Sequence, residues 1–340
     1  MNRKRIAGVI MTLALLAATV AGCGSNSDSE AAGEREKTIV SFGGGPSGGT
    51  FYSIAIGVSE LVNKVVPTLK ASSESTGGGV ENLTLLAREE IDFGIVSLES
   101  LYESAHGLGE YADSEIDYSG ITIMGPGQYG STGVHVNAAS DAYAIEDLKG
   151  KRVALGPAGS SGAIMWERMF ELHGLSAKNG DFTPEWLSYT DAVASLTDGL
   201  VDAICMPVIT NGVKYSSGVQ LTSSIDVRIF TTTQEKMDEY LTKYPMYMGS
   251  TISAGLYDFI EEDLPSMGFV SLFAARGGID EGIVYEIAKT IFENSEEFKK
   301  CHDVASMYCD PAQIKTIYET IDVPINEGAL RYYKEAGMIE

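Results

Sequence analysis

Positive charge is scarce in this chain of 340 residues: 24 Lys and Arg face 47 Asp and Glu, for a formal net charge of −23. Phosphate contacts need clustered Lys and Arg, which removes nucleic acid from the candidate partners. Histidine and cysteine are also few, four of each. His106, His135, His173 and His302 stand at no metal-ligand or catalytic-triad spacing and read as surface or capping residues, so no metal is expected. Cys205 lies in an apolar strand-like run and reads as a small buried hydrophobe. Cys301 and Cys309 flank a short loop, where export permits a disulfide, and His302 beside them matches no zinc pattern. No apolar run has the length of an ordinary membrane span.

What is there begins with residues 1–22. The basic Met1-Asn2-Arg3-Lys4-Arg5 precedes an almost wholly apolar stretch at 6–20, which Val20-Ala21-Gly22-Cys23 closes. A charged start, a short apolar run and small residues before a cleavage point make a secretory signal. The closing four residues resemble the bacterial lipobox, which implies a lipid-modified Cys23. Residues 23–37, rich in Ser, Glu, Gly and Ala, then read as a flexible tether. Loss of Arg3, Lys4 and Arg5 takes the charge to −26, which suits solubility outside the cell and leaves any anion site to be built locally. With 44% apolar and 9% aromatic residues, the remainder is long enough for two ordinary domains.

The pattern centres on Phe42-Gly43-Gly44-Gly45-Pro46-Ser47-Gly48-Gly49-Thr50-Phe51-Tyr52. It follows the apolar run Thr38-Ile39-Val40-Ser41-Phe42 and opens a helical stretch whose Ile54, Val58, Leu61, Val62 and Val65 share one face. Glycines let backbone N–H groups approach a ligand, and the free N–H groups and dipole of a helix start favour negative charge. The unit recurs: Lys151-Arg152-Val153-Ala154-Leu155 leads into Gly156-Pro157-Ala158-Gly159-Ser160-Ser161-Gly162 and a second helical stretch, Gly45 and Gly156 being 111 positions apart. A different motif, Ile91-Asp92-Phe93-Gly94-Ile95, recurs as Val201-Asp202-Ala203-Ile204-Cys205 at an offset of 110. Two similar α/β halves facing one another would enclose a single ligand at their strand ends. The candidates for holding it are Gly49, Thr50, Ser75, Thr76 and Ser97 in the first half, with Ser160, Ser161, Gly162, Met206, Pro207 and Thr210 in the second. Thr50 and Ser161 also stand where a helix cap is wanted.

Other stretches set the frame. Strand-like runs at 121–136, separated by Gly125-Pro126-Gly127, carry the first crossing between halves, and residues 246–254 carry the return. Pro207-Val208-Ile209-Thr210-Asn211-Gly212 reads as a loop, Trp166 and Trp186 as core, and Glu261-Glu262-Asp263 as a solvated face. Gly43-x-Gly45-x-x-Gly48 does match a dinucleotide fingerprint, with Glu74 further on, but an export signal and a duplicated half speak against an NAD enzyme. No Lys follows the glycines as a phosphate-binding loop requires, and Gly159-Ser160-Ser161-Gly162 lacks the spacing of a nucleophile elbow.

Taken in order, four segments resemble the TAXI-family solute receptors of tripartite ATP-independent periplasmic (TRAP) transporters. They are Gly45-Pro46-Ser47-Gly48-Gly49-Thr50-Phe51-Tyr52, Thr76-Gly77-Gly78-Gly79-Val80-Glu81-Asn82-Leu83, Asp147-Leu148-Lys149-Gly150-Lys151-Arg152-Val153, and Asn326-Glu327-Gly328-Ala329-Leu330-Arg331-Tyr332-Tyr333-Lys334-Glu335. The resemblance implies a bilobed α/β fold of the type II periplasmic-binding-protein kind, two similar lobes joined by a hinge. It also implies no catalysis, no cofactor, and delivery of a small organic acid or amino acid, such as glutamate or 2-oxoglutarate, to a TRAP membrane permease. It brings Tyr52 into the ligand set; Phe51 and Ser53 stand where the family has a tyrosine and commonly a proline.

The expected organisation is a lipoprotein signal at 1–22, a tether at 23–37, a first lobe at 38–133 and 248–340, and a second lobe at 134–247. The expected protein is a monomeric, lipid-anchored solute-binding receptor on the outer face of the cytoplasmic membrane. A ligand-sensing module for a membrane receptor and an exported enzyme are the alternatives. Because the anchor lies outside the folded unit, Cys23→Ser should fold normally and leave the membrane fraction. A variant still lipidated and retained on membranes would contradict the lipobox reading.

Overall fold

A computed structural model describes residues 37–340, apart from Pro46, Gly48 and Asn211. The signal, Cys23 and the tether up to Glu36 lie outside the described residues. The first elements are β1 (Thr38–Gly43), α1 (Thr50–Val65), β2 (Leu69–Glu74), α2 (Gly79–Ala87), β3 (Phe93–Ser97), α3 (Leu98–His106) and β4 (Thr122–Asn137). There follow β5 (Arg152–Ala154), α4 (Ser161–Leu172), β6 (Thr183–Glu185), α5 (Tyr189–Thr197), β7 (Ala203–Thr210), β8 (Val213–Lys214) and α6 (Ser216–Ser224). Next come β9 (Val227–Phe230), α7 (Gln234–Lys243), β10 (Met248–Ile252) and β11 (Leu264–Ala275). Four helices close the chain: α8 (Glu281–Glu293), α9 (Ser295–Phe298), α10 (Pro311–Thr320) and α11 (Glu327–Glu335).

The strands form one mixed sheet in the order β2-β1-β3-β11-β4-β7-β5-β6. At one end β1 is parallel to β2 and β3; at the other β5 is parallel to β6 and β7. These are two like units, and the recurring aspartate has the same task in each. Asp92 Oδ2 accepts the Ser41 N–H at 3.0 Å in β1, and Asp202 Oδ2 accepts the Arg152 N–H at 2.8 Å in β5. Each carboxylate also holds an arginine, Arg276 Nε at 2.8 Å and Arg152 Nε at 3.1 Å.

The two long antiparallel strands β4 and β11 join the units. Between Thr122 and Ser131 β4 pairs with β11, and from Gly130 to Asn137 it pairs with β7 and β9. The strand therefore runs unbroken through Gly125-Pro126-Gly127, where separate runs were expected. Proline lacks a donor, and the β4–β11 register shifts on either side of the Pro126 pair absorb it. A Cβ at Gly127 would lie 2.3 Å from the Ser271 carbonyl oxygen, so only glycine fits there. Pro207 likewise lies inside β7, beside a register shift opposite Ser131 and Thr132, rather than in a loop.

The return crossing also differs from expectation. β10 pairs antiparallel with Leu264–Gly268 of β11, and Ile252, Tyr257 and Ile260 share a buried cluster with Ala154, Val193 and Met206 of the second half. Residues 248–264 thus pack with the second half, and β11 makes the crossing. The C-terminal helices cover the first half: Val284, Ile287, Ile291 and Tyr333 are buried with Val40, Phe42, Ile54 and Val58. Cys301 and Cys309 are both free thiols. Trp166 is buried, whereas Trp186, just beyond the edge strand β6, is 40% exposed and is no part of the core.

Of the histidines read as surface or capping residues, His173 is the C-cap of α4, whereas His135 is buried in the sheet. The His173 ring bridges Glu146, at 2.6 Å, and Thr232, at 2.8 Å. His135 in β4 is fully buried, with Nδ1 3.2 Å from the Gly133 carbonyl oxygen. Desolvation lowers its pKa from 6.5 to about 4. The unfolded chain takes up this proton at higher pH than the folded one, so the group's contribution is present above 6.5 and lost as pH falls toward 4. The loss is about 1.4 kcal/mol per pH unit. The Tm of the wild type should accordingly fall relative to that of His135→Leu on acidification through this window. A gap between the two Tm profiles that does not change with pH would contradict it.

Candidate functional site

The first loop is held by packing that only glycine permits. A Cβ at Gly43 would stand 2.5 Å from Ile91 Cδ1, and one at Gly44 2.7 Å from Tyr52 Cα. A fully buried asparagine, Asn82 in α2, ties the loop to its neighbours. Its Nδ2 donates to the carbonyls of Gly44 at 2.7 Å, Ile95 at 2.8 Å and Gly43 at 3.3 Å, and its Oδ1 accepts the Thr76 hydroxyl at 2.7 Å. Thr76 Oγ1 in turn accepts the Gly78 N–H at 3.2 Å, and Ser75 Oγ donates to the Gly45 carbonyl at 3.2 Å. Glu81, in the first turn of α2, accepts the Gly77 N–H. The ends of β1, β2 and β3 and the starts of α1 and α2 are thereby fixed together.

Gly49, not Thr50, is the N-cap of α1; Thr50 is its first helical residue and makes no side-chain capping bond. Among the described residues no side chain caps α1, and its first backbone bond runs from the Ser53 N–H to the Gly49 carbonyl at 3.1 Å. Tyr52 is half-buried on the first turn of α1.

The second loop is built differently. Gly156 and Gly159 have φ of 111° and 66°, in the left-handed range that favours glycine. Ser160 caps α4 by accepting the Ala163 N–H at 3.3 Å, so the capping role falls to Ser160 and frees the hydroxyl of Ser161. A Cβ on Gly162 would meet the Tyr189 hydroxyl at 2.9 Å, and one on Gly156 would be 3.5 Å from it: this phenol lies over the loop.

The two halves meet through α3 and α4. Glu99, at the start of α3, is 5% exposed, and the Ser97 hydroxyl donates to Ser100 Oγ at 2.8 Å. Burial pushes the Glu99 carboxyl above the usual carboxylate range, against the hydroxyls of Ser161 and Ser97 and the charge of Arg168. One turn on, Glu103 Oε1 pairs with Arg168 Nη2 at 2.6 Å, with both side chains largely buried.

Of the expected residues, the structure gathers Gly49, Thr50, Ser75 and Thr76 about the first loop, and places Ser97 at the end of β3 and Ser161 at the start of α4. Ser160 and Gly162 shape the second loop. Met206 and Pro207 belong elsewhere. Met206 is fully buried in the cluster with Val208 and Leu221, and its carbonyl accepts the Thr132 hydroxyl at 3.0 Å. Pro207 is a buried strand residue. Thr210, at the end of β7, is buried with no partner for its hydroxyl among the described residues. Sequence reasoning missed Asn82, Glu99, Arg168 and Tyr189 as site residues. The clue was available for Glu99 and Glu103, which put two acids on one face of a helix that also carries Leu98 and Leu101. Two cavities of about 240 and 230 Å³, one lined by Gly57, Lys64 and Cys301 and the other by Glu110, Glu167 and Lys178, are not lined by the expected residues.

Like α/β units with loops at their strand ends, joined by two long antiparallel strands, make the architecture of the periplasmic binding proteins. Two solved structures agree on the fold. A TctC solute binding protein from Polaromonas is 14% identical, with a TM-score of 0.50 over 90% of this chain and 99% of that one. A Xanthomonas citri protein bound to ATP is 11% identical, with a TM-score of 0.51 over 89% and 100%. The periplasmic aliphatic sulphonate binding protein SsuA of Escherichia coli, 17% identical over 88% and 91%, has a TM-score of 0.45. Residues 42–337 match the model of the NMT1-like family, and the chain belongs to that family.

Proposed function

We propose that the protein is a non-catalytic, extracytoplasmic solute-binding receptor, anchored by a lipid on Cys23, that captures a small organic acid or amino acid and presents it to a TRAP-type membrane permease. The observation that carries this reading is the pair of like strand-loop-helix units, in which β1 and β5 run through glycine loops into the starts of α1 and α4, whose N–H groups can receive a carboxylate. The NMT1-like family membership and the fold support it. The tandem resemblance to TAXI receptors adds the permease class. Closure of the two halves about β4 and β11 gives the permease a shape to recognise.

Mass spectrometry of small molecules released from the mature protein, purified without added solute, tests the reading directly and should show one small acid or amino acid. Binding stabilises the folded state by RT ln(1 + [L]/Kd), about 2.7 kcal/mol at a hundredfold excess. For a domain of this size that raises Tm by several degrees, roughly 2–4 °C per kcal/mol. The wild type should therefore shift with at least one of L-glutamate, L-glutamine or 2-oxoglutarate. Gly162→Leu, whose Cβ would press on the Tyr189 hydroxyl, should fold yet shift little, and Thr50→Val should lose less. Full retention of the shift by Gly162→Leu would remove the second loop from the site.

A further inference from the structure

Where α3 of the first half meets α4 of the second, one anion and one cation face each other across the junction. Arg168 is held by the second half alone. Its Nη1 donates to the Tyr247 hydroxyl at 3.1 Å, and its guanidinium lies over the rings of Tyr244 and Tyr247 at 5.0 and 5.8 Å. Its Nη2 reaches across to Glu103 Oε1 at 2.6 Å, with the two side chains 14% and 7% exposed. No other cation pairs with Glu103 among the described residues. The first half leaves room for this carboxylate, since a Cβ at Gly109 would stand 2.9 Å from Glu103 Oε2. Beside the pair the packing is open: a cavity of about 230 Å³ is lined by Glu167, Arg168, Lys178 and Tyr244 of the second half and by Glu110 of the first. The cavity therefore spans the junction, and Tyr102 of α3 is only half-buried against the cluster of Trp166 and Phe170 in α4.

A buried ion pair loses in hydration much of what it gains in attraction, so its net worth is small, whereas one ion left there without the other is strongly disfavoured. Each half has its own apolar cluster, so neither needs the pair in order to fold. What the pair specifies is how the halves meet. Glu103 and Arg168 satisfy each other only with α3 and α4 in contact, and each is hydrated once they part. Such a contact leaves the open and closed arrangements close in free energy, so that a bound solute can decide between them. We propose that the ion pair of Glu103 with Arg168 is the latch of the closed state. It sets the closed fraction without touching the solute, and the apparent Kd varies inversely with that fraction. The inference rests on the closure of the halves in the reading above and is independent of the solute's identity.

Small-angle X-ray scattering of the solute-free mature chain tests the latch. For a compact chain of this length the radius of gyration is about 19 Å, and Arg168→Met, which strands the Glu103 carboxylate in the junction, should raise it by about 1 Å over the wild type. Glu103→Gln keeps the shape of the side chain and leaves Arg168 on Tyr247 and both rings, so it should raise the radius less. The double variant strands no charge and should be more compact than Arg168→Met. A static structural tie would instead lower Tm and leave the radius of every folded variant at the wild-type value, and that result would overturn the proposal. Circular dichroism establishes folding, and should Arg168→Met not fold, Glu103→Gln decides alone. Release of a small acid from the wild type would leave solute binding standing even then, so the two readings fail separately.

Discussion

The carboxamide of Asn82 is the tie on which the first half of the site depends. Three backbone carbonyls, from the β1 end, the loop and β3, converge on one Nδ2, and the Thr76 hydroxyl on Oδ1 brings in the end of β2. Carbonyl groups buried beside glycines have no water to turn to, so each lost bond would cost the desolvation of its group, about 1–3 kcal/mol. The glycines are the other side of the same constraint, because a Cβ at Gly43 would overlap the Asn82 carboxamide at 2.7 Å. One side chain and one missing side chain specify each other. With the loop so fixed, the N–H groups at the start of α1 are held in place before any ligand arrives, which lowers the cost of binding.

The second half reaches the same geometry by other means. Positive-φ glycines, the Ser160 cap and the Tyr189 phenol shape its loop, and no asparagine corresponds to Asn82 among these contacts. The duplicated aspartates show that the halves share a framework, while the residues that shape their loops differ. Such an arrangement suits a site whose two walls meet different ends of one small molecule. Between the halves, α3 and α4 are tied by the ion pair of Glu103 with Arg168 at 2.6 Å.

Much of this was legible in the sequence. Apolar periodicity placed α1 directly after its glycine loop, and the repeated loop and aspartate motifs revealed the two units before any contact was known. The crossing strands were not legible. Gly125-Pro126-Gly127 and Pro207 look like breaks along the chain, and only the register shifts in the neighbouring strands accommodate them. Asn82 and Glu99 were hidden for a related reason: a polar residue within a helix reads as solvated surface, and its burial depends on which element packs over it. Met206 was misplaced because the symmetry argument located the strand end but not which way its side chain points.

Replacing the carboxamide alone tests the central claim most directly. Equilibrium dialysis of Asn82→Ala, with the solute recovered from the wild-type protein, should show folded protein of lower Tm that has lost most of its affinity. Wild-type affinity in the folded variant would mean that the loop holds its shape without Asn82, and that the first half of the site has been assigned to the wrong interaction.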